Sequence, residues 1–195
     1  MKTVALNKAK GLIFGLAIGD ALGYPVEFMT LDRIKSKYGP GGITKLPESA
    51  LFSDDTQMSI AVAEALVRAG EQDIDSIMEA VKDEFIKWLH SPENNRAPGR
   101  TCLEGVANME MGVQWSKSGI AGSKGCGSAM RAAPMGYLYQ YDPDKLKEVA
   151  SAVGICTHGH QTADAACIAA AYLVKLALDG VSPGEMISNL FYILF

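Results

Sequence analysis

The sequence has few cysteines, and none of them form close pairs. Cys102, Cys126, Cys156 and Cys167 are scattered along 195 residues without a C-x-x-C motif. This spacing argues against a zinc ribbon and against a disulfide framework, and it suits a reducing compartment. We therefore expect a cytoplasmic protein.

Basic runs and long apolar segments are also absent. The net charge is −4 and the lysines and arginines form no run, so nucleic acid is not expected as a partner. The N-terminus is partly apolar, but Asp20 follows soon and no A-x-A-like cleavage site occurs, so we predict no signal peptide. The alanine-rich stretch after His160 contains Asp164 and Lys175 and is judged too short and too polar to span a bilayer.

Strand-like alternation of apolar and polar residues is missing as well, whereas helical periodicity recurs along the chain. Residues 74–89, for example, place seven apolar side chains on one helix face. The length of 195 residues suits one domain with a sizeable core. We predict a single all-α domain over residues 1–195, with surface loops at 36–50 and 91–100. Helices are expected at 5–22, 55–69, 74–89, 101–116, 128–139, 144–156, 161–179 and 183–194.

The first predicted helix carries a row of glycines. Gly11, Gly15, Gly19 and Gly23 are spaced four residues apart and therefore share one helix face. Glycine costs up to about 1 kcal/mol relative to alanine in a helix, so a row of glycines needs a packing reason. We expect another backbone to approach this face closely.

Four consecutive oxygen-bearing residues, Ser53, Asp54, Asp55 and Thr56, open the second predicted helix. Mg²⁺ takes oxygen ligands and keeps several waters, so this cluster could supply part of its coordination shell. Ser53 could equally cap the helix, with the two aspartates interacting favourably with the helix dipole. The residues alone leave both interpretations open.

A second chemical segment, residues 122–131 (GSKGCGSAMR), places three glycines among small polar residues before a helix. The backbone N–H groups of such a loop can cradle an anion, although glycine-rich loops are more often simple turns. The segment fits neither a Walker A loop nor a dinucleotide-binding fingerprint. Arg131 could pair with a phosphate, and an exposed or salt-bridged arginine is the alternative.

The histidines form the third segment, residues 157–160 (THGH). Two histidines alone make a poor zinc site, so His158 is a candidate ligand contact and His160 could cap or flank the helix that follows. His90, at the end of a predicted helix, most simply interacts with the helix dipole.

Taken together and in order, these segments resemble the start of the ADP-ribosylglycohydrolases, the enzymes related to dinitrogenase-reductase-activating glycohydrolase and the ADP-ribosyl-acceptor hydrolases. The resemblance covers essentially the whole chain. Its motifs are residues 11–23 (GLIFGLAIGDALG), 26–28 (VEF), 53–58 (SDDTQM), 96–102 (RAPGRTC), 125–134 (GCGSAMRAAP) and 157–160 (THGH).

The resemblance implies a compact all-α domain of orthogonal helices built around two Mg²⁺ ions, which Mn²⁺ could replace. The family's first metal motif falls on Ser53, Asp54 and Asp55, and its acidic loop residue, a candidate general acid or base, falls on Glu27. Asp20 matches a residue that supports the metal site without binding the ions. The family's diphosphate-binding loop matches Gly122, Ser123, Gly125, Cys126, Gly127 and Ser128, and its histidine that contacts ADP-ribose matches His158.

Two departures from the family pattern stand out. Cys126 occupies a position where many members carry asparagine, which leaves a main-chain cradle intact. Members also usually end with a second acidic motif that completes the metal pair, and no Asp-x-Asp-Thr occurs after residue 160. We therefore expect a chain that lacks the C-terminal part of the family domain, as a fragment, a frameshifted product or a shortened member.

The function implied by the resemblance is Mg²⁺-dependent hydrolysis of the glycosidic bond at C1″ of ADP-ribose attached to a protein side chain. Asp54, Asp55 and Glu27 are the expected catalytic residues, and ADP-ribose or an ADP-ribosylated protein is the expected partner. An inactive relative that only binds ADP-ribose is the first alternative. A protein whose glycines serve packing alone is the second.

Overall fold

The structure, a computed structural model, describes the backbone of residues 2–194 and the side chains of residues 4–191. Within this range the regular secondary structure is almost entirely helical, which confirms the predicted all-α class. The helices are α1 (Lys2–Gly23), α2 (Leu31–Tyr38), α3 (Asp54–Ala69), α4 (Ile74–Leu89), α5 (Arg100–Glu110), α6 (Trp115–Ser118), α7 (Ala133–Leu138), α8 (Pro143–Ile155), α9 (Gln161–Leu178) and α10 (Pro183–Leu194). Two 3₁₀-helices (Tyr24–Val26, Ala129–Arg131) and two strands, β1 (Ile120–Ala121) and β2 (His158–Gly159), complete it.

Local capping residues set the ends of these helices. The Asp73 carboxylate accepts a hydrogen bond of 3.0 Å from the Ser76 N–H at the start of α4, and Asp142 does the same for Lys145 at the start of α8. Gly70 ends α3 with a φ of +64°, a conformation that costs glycine little. The predicted bounds of α4 match the structure, and those of α1, α3, α8, α9 and α10 match within a few residues.

The hydrophobic core lies between α3, α4, α5, α7, α8 and α9. Phe85, Met58, Ile77, Leu146 and Val149 are completely buried there. α9 packs against α7 and α8 and contributes Cys167, Ile168, Ala171 and Tyr172 to the same core.

α9 also has the length and hydropathy of a membrane span, over Gln161–Leu178, so the prediction that this stretch is too short and too polar was wrong on those criteria. The bent pair of α1 and α2 would add a second span if it counted as one. This is weak evidence for a membrane, because a helix that packs in a protein core passes the same test.

The glycine row of α1 does not contact another backbone, contrary to the prediction. A Cβ atom built on Gly11, Gly15, Gly19 or Gly23 would meet no heavy atom within 4 Å in the described part of the molecule. The opposite face of α1, around Ala17 and Ala21, is the one that packs towards α3 and α7. Phe14 and Ile18, beside the glycines, are 62% and 52% exposed.

Four further expectations were wrong in detail. The helix predicted at 101–116 is interrupted after α5 by a turn in which Gly112 has a φ of +89°, and the one at 128–139 begins as a 3₁₀-helix. α2 was not predicted, although Thr30 caps it. The strands were also missed because each has only two residues. They pair in parallel, Ile120 opposite His158, and this pairing brings the glycine-rich loop to the histidine segment.

Candidate active site

The start of α3 is organised by Asp20, which projects from the last turns of α1. One oxygen of its carboxylate accepts from the Ser53 hydroxyl at 2.7 Å. The other accepts from the Ser53 N–H at 2.9 Å, the Thr56 N–H at 3.1 Å and the Thr56 hydroxyl at 2.6 Å. Ser53 is also the N-cap of α3, because its Oγ accepts from the Asp55 N–H at 3.2 Å. Asp20 is therefore occupied as a structural anchor of the N-terminus of α3.

The two aspartates of the first turn of α3 differ in their surroundings. Asp54 is buried, and its Oδ2 accepts a 2.9 Å hydrogen bond from the Gly99 N–H. Asp55 is half-buried, and within the described range its carboxylate has neither a hydrogen-bond donor nor an ion-pair partner. Burial, reinforced by Asp20 and Asp54, raises the pKa of Asp55 to about 6. Among the described residues, no donor or cation compensates the negative charge of the Asp55 carboxylate.

Glu27 faces the same cluster from the end of the 3₁₀-helix Tyr24–Val26. Glu27 is an exposed residue overall. Partial burial of its carboxyl group, followed by the negative charges of Asp55 and Asp20, raises the pKa of Glu27 above its usual value. The pKa of Asp54 is also raised, chiefly by burial, although the Gly99 N–H opposes the shift. Several acids therefore repel one another on one side of the molecule.

The predicted metal ligands fit a hard cation in donor type but not in number. Ser53, Asp54 and Asp55 present oxygen atoms only, and the free carboxylate of Asp55 is the strongest candidate ligand. The Ser53 hydroxyl is already shared between Asp20 and the Asp55 N–H. Among the described side chains, no three His, Cys, Asp or Glu residues are arranged so that they could hold a metal ion. These residues would supply part of a coordination shell.

The glycine-rich loop follows β1 and lies against His158 of β2. A Cβ on Gly127 would come within 2.7 Å of His158 Cε1, and one on Gly125 within 3.3 Å of His158 Nε2. Only glycine allows the loop backbone to lie this close to the imidazole. His158 itself is 2% exposed, and burial followed by the positive charge of Arg131 lowers its pKa to about 4.

The side chains of the loop point to different places. Ser128 is buried, and its hydroxyl donates to the Ala163 carbonyl of α9 at 2.9 Å. Ser123 Oγ lies 3.1 Å from Thr101 Oγ1, and Cys126 is exposed. Gly122 has a φ of +77°, which favours glycine at the turn that begins the loop. The backbone N–H groups of this loop are candidate donors to an anion, except that of Ser123, which already donates to the Ile120 carbonyl at 3.1 Å.

The first turn of α5 connects the acidic cluster to the loop. Gly99, its N-cap, donates to Asp54, and Thr101 contacts Ser123 of the loop. A Cβ on Gly127 would also lie 2.7 Å from the sulfur of Cys102. The predicted metal residues and the glycine-rich loop therefore both contact the N-terminus of α5. Residues 96–102, which include Gly99 and Thr101, are one of the motifs shared with the family, but the sequence alone assigned them no function.

Arg131 is not exposed, and it has no salt bridge among the described residues, so the expectation of an exposed or salt-bridged arginine was wrong, while its pairing with a phosphate stays a prediction. It is completely buried, and its guanidinium lies 4.9 Å from the centre of the Phe85 ring. It donates to the Val153 carbonyl and to Thr157 Oγ1, each at 2.6 Å. The tertiary structure, rather than local sequence, provides these partners.

Of the other two histidines, His160 caps a helix as expected, and His90 lies at the expected helix end. His160 caps α9, since its Nδ1 accepts from the Thr162 N–H at 3.0 Å. His90 ends α4 and also lies 2.7 Å from Glu110 Oε1 of α5.

Comparisons with known proteins agree on one family. The family model of the ADP-ribosylglycohydrolases matches residues 1–194. The chain is 33% identical over 180 residues to the ADP-ribosyl-[dinitrogen reductase] glycohydrolase of Rhodospirillum rubrum, covering 89% of this chain and 59% of that protein. It is 25% identical over 184 residues to the ADP-ribosylarginine hydrolase Tri1 of Serratia proteamaculans, covering 91% of this chain and 49% of that protein.

A solved structure gives the same result. The structure described as an ADP-ribosylglycohydrolase-related protein complex superposes with a TM-score of 0.66 at 26% identity, over 94% of this chain and 60% of that one. The chain therefore spans roughly half to three fifths of the length of these relatives. The ordered motifs, the helical fold and the match over residues 1–194 establish that this chain belongs to the ADP-ribosylglycohydrolase family.

Proposed function

We propose that this protein hydrolyses the glycosidic bond that joins C1″ of ADP-ribose to a protein side chain, with Mg²⁺ as cofactor. One observation carries the proposal. The uncompensated carboxylate of Asp55 lies beside Asp54 in the first turn of α3, and the N-terminus of α5 links that turn to the glycine-rich loop above His158, because Gly99 donates to Asp54 and Thr101 contacts Ser123. Such a site can hold a diphosphate at one end and a ribose at the other.

In this proposal the diphosphate is bound by the backbone of Gly122, Ser123, Gly125, Cys126, Gly127 and Ser128, with His158 beneath the loop. Ser53, Asp54 and Asp55 would hold one or two Mg²⁺ ions, or Mn²⁺ in their place. Bound there, the metal supplies positive charge that orients the ribose hydroxyls and a water molecule. The ADP-ribose end of the substrate is thus fixed before the bond breaks.

The chemistry is assigned to Glu27. The bond between C1″ and the nitrogen or oxygen of the acceptor side chain breaks while positive charge develops at C1″, as in other glycoside hydrolyses. Water adds its oxygen to C1″ and gives one proton to the Glu27 carboxylate, and Glu27 passes that proton to the nitrogen or oxygen of the leaving side chain, which returns Glu27 to its starting state. The raised pKa of Glu27 makes its carboxylate a better proton acceptor than an ordinary glutamate.

The names of the relatives support this class of substrate. The Rhodospirillum rubrum and Serratia proteamaculans proteins are named for the removal of ADP-ribose from dinitrogen reductase and from arginine. The present chain matches only part of each. A protein that binds ADP-ribose without hydrolysing it is the second candidate, and it is favoured by the incomplete set of metal ligands among the described residues.

Release of free ADP-ribose from an ADP-ribosylated peptide, followed by chromatography with Mg²⁺ or with EDTA, tests the hydrolase. We expect turnover with Mg²⁺ and its loss in Asp55→Asn. Asp144→Asn is the matched control because Asp144 is also a first-turn acid, at the start of α8. Unchanged turnover in Asp55→Asn would remove Asp55 from the site.

A thermal melt with ADP-ribose separates the two candidates when no turnover is found. Ligand at about 100 times Kd adds about 2.7 kcal/mol to the free energy of unfolding. For a chain of this length that raises Tm by roughly 5–11 °C. A shift without turnover supports the binding protein. A cooperative melt that ADP-ribose leaves unchanged contradicts both candidates.

A further inference from the structure

Arg131 is a buried cation without a carboxylate partner in the described part of the chain. Its polar contacts are the Val153 carbonyl, Thr157 Oγ1 and the sulfurs of Met58, Cys102 and Cys156, and its Nε has no partner. Burying an unpaired charge is unfavourable, so the position calls for an explanation beyond packing. The contact with Thr157 provides one.

Thr157 stands between Arg131 and His158. Arg131 Nη2 lies 2.6 Å from Thr157 Oγ1, which in turn lies 2.8 Å from His158 Nδ1. A guanidinium can only donate, so the threonine oxygen accepts from Arg131. Its own proton then needs an acceptor, because the residue is completely buried. Nδ1 is the only acceptor that the described residues place within reach.

This arrangement decides which nitrogen of His158 carries the proton. Because the pKa of His158 is about 4, the ring is neutral at pH 7 and holds a single N–H. If that proton were on Nδ1, the threonine hydroxyl would be left buried without an acceptor. With Nδ1 accepting from Thr157, the proton is on Nε2.

The second nitrogen faces the glycine-rich loop. Nε2 lies 3.3 Å from the Cβ position of Gly125 and 3.1 Å from that of Gly127. Among the described residues it has no hydrogen-bond partner, yet it is not one of the fully buried unpaired atoms, so it still reaches solvent. Among the described residues, it is the side-chain nitrogen nearest to the Cβ positions of Gly125 and Gly127.

We propose that Arg131 and Thr157 are positioning residues that hold His158 as the Nε2–H tautomer, so that Nε2 donates a hydrogen bond to an oxygen of a diphosphate in the glycine-rich loop. The proposal rests on the proposed function, because the diphosphate is that of ADP-ribose. The other tautomer would direct a lone pair at the anion and repel it.

Long-range ¹H–¹⁵N spectra of the imidazoles of the ligand-free protein test the tautomer without any activity. The chain has three histidines, and His90→Gln and His160→Asn assign the signals. We expect His158 as the Nε2–H form, with the Nδ1 resonance displaced by an accepted hydrogen bond. Thr157→Val should lose that displacement, and Thr157→Ser should keep it. An Nδ1–H form in the wild type overturns the proposal.

Calorimetric titration with ADP-ribose tests the consequence for binding. Losing one well-placed hydrogen bond to a charged group should weaken affinity about tenfold in Thr157→Val. Thr157→Ser should bind nearly as the wild type does. Thr162→Val, an exposed threonine beyond His160, is the matched control. Equal affinity of folded Thr157→Val and Thr157→Ser overturns the proposal.

The two measurements separate this inference from the proposed function. If the wild type fails to bind ADP-ribose but shows the Nε2–H form, the ligand assignment fails while the positioning of His158 by Arg131 and Thr157 stands. If the wild type binds but His158 is Nδ1–H, the positioning fails and the proposed function survives.

Discussion

Asp55 shows at the scale of a single residue how a functional site conflicts with stability. Its carboxylate is half-buried, and Asp20 and Asp54 add negative charge around it. The helix dipole at the start of α3 offsets only part of that repulsion. The ligand-free protein therefore holds a charge that the unfolded chain would carry more easily.

Replacing Asp55 by asparagine should stabilise the metal-free protein near neutral pH. The pKa of Asp55 is higher in the folded protein, about 6, than its usual value of 3.8. The folded state therefore binds this proton more tightly, and stability falls as the pH rises from about 4 to about 6. Above that range Asp55→Asn should gain about 1 kcal/mol after screening by solvent is allowed for, or roughly 2–4 °C in Tm.

Melting curves in EDTA at pH 4 and pH 7.5 measure this gain. We expect it at pH 7.5 and little change at pH 4, where the carboxyl group is protonated. Asp144→Asn, which removes an exposed first-turn charge, should show no gain at either pH. A lower Tm for Asp55→Asn at pH 7.5 would mean that Asp55 stabilises the fold.

At the scale of elements, the two-residue pairing of β1 with β2 positions the loop over the histidine. Ile120 N–H donates to the Thr157 carbonyl at 2.8 Å, and the close approach at Gly119 leaves no room for a side chain, because a Cβ there would lie 2.0 Å from the Ile155 carbonyl oxygen. Gly125 and Gly127 of the loop are needed for the same reason, because His158 lies close to their Cβ positions.

Gly127→Ala should displace His158 or the loop. Its Cβ would come within 2.7 Å of both Cys102 Sγ and His158 Cε1. Such overpacking typically costs about 1–3 kcal/mol, and we expect ADP-ribose affinity to fall by at least tenfold. Urea unfolding and calorimetric titration measure the two effects. Gly41→Ala is the control, because nothing lies within 4 Å of a Cβ there. Wild-type affinity in Gly127→Ala would contradict the placement of His158.

In the glycine row of α1, by contrast, substitution by alanine should stabilise the protein. Gly11 and Gly15 lie inside a helix with open space around them, so alanine should fit without a clash. Each substitution should raise the free energy of unfolding by up to about 1 kcal/mol. Urea unfolding of Gly11→Ala, Gly15→Ala and the double variant measures this. Destabilisation by either would mean that the row packs closely against something in solution.

At the scale of the whole molecule, the sequence predicted most of the helices that form the core, but not the contacts between the segments of the candidate site. α4 was predicted residue for residue because its apolar period and its Asp73 cap agree. α2 was missed because it is short and has no buried residue, and the two strands were missed because each has only two residues. Arg131 was misjudged because its partners, Thr157 and Phe85, come from distant parts of the chain.

The outer face of α1 should promote self-association of this chain. Val4, Leu6, Phe14 and Ile18 are all more than half exposed. Exposed apolar patches of this kind mark association surfaces. We expect the sedimentation coefficient to rise with concentration, and Phe14→Ser combined with Ile18→Ser to abolish the rise. Asn7→Ser, an exposed polar position on the same helix, is the control. A concentration-independent monomer would contradict this expectation.

The four thiols differ in their exposure to solvent, so the chain can be labelled at one site without substitutions. Cys126 is exposed at the middle of the glycine-rich loop, while Cys102, Cys156 and Cys167 are buried. Burial also raises the pKa of the Cys156 and Cys167 thiols to about 11 and about 12, which keeps them unreactive. A maleimide fluorophore should therefore attach to Cys126 alone, without mutagenesis, and its emission would report each time a ligand enters or leaves the loop.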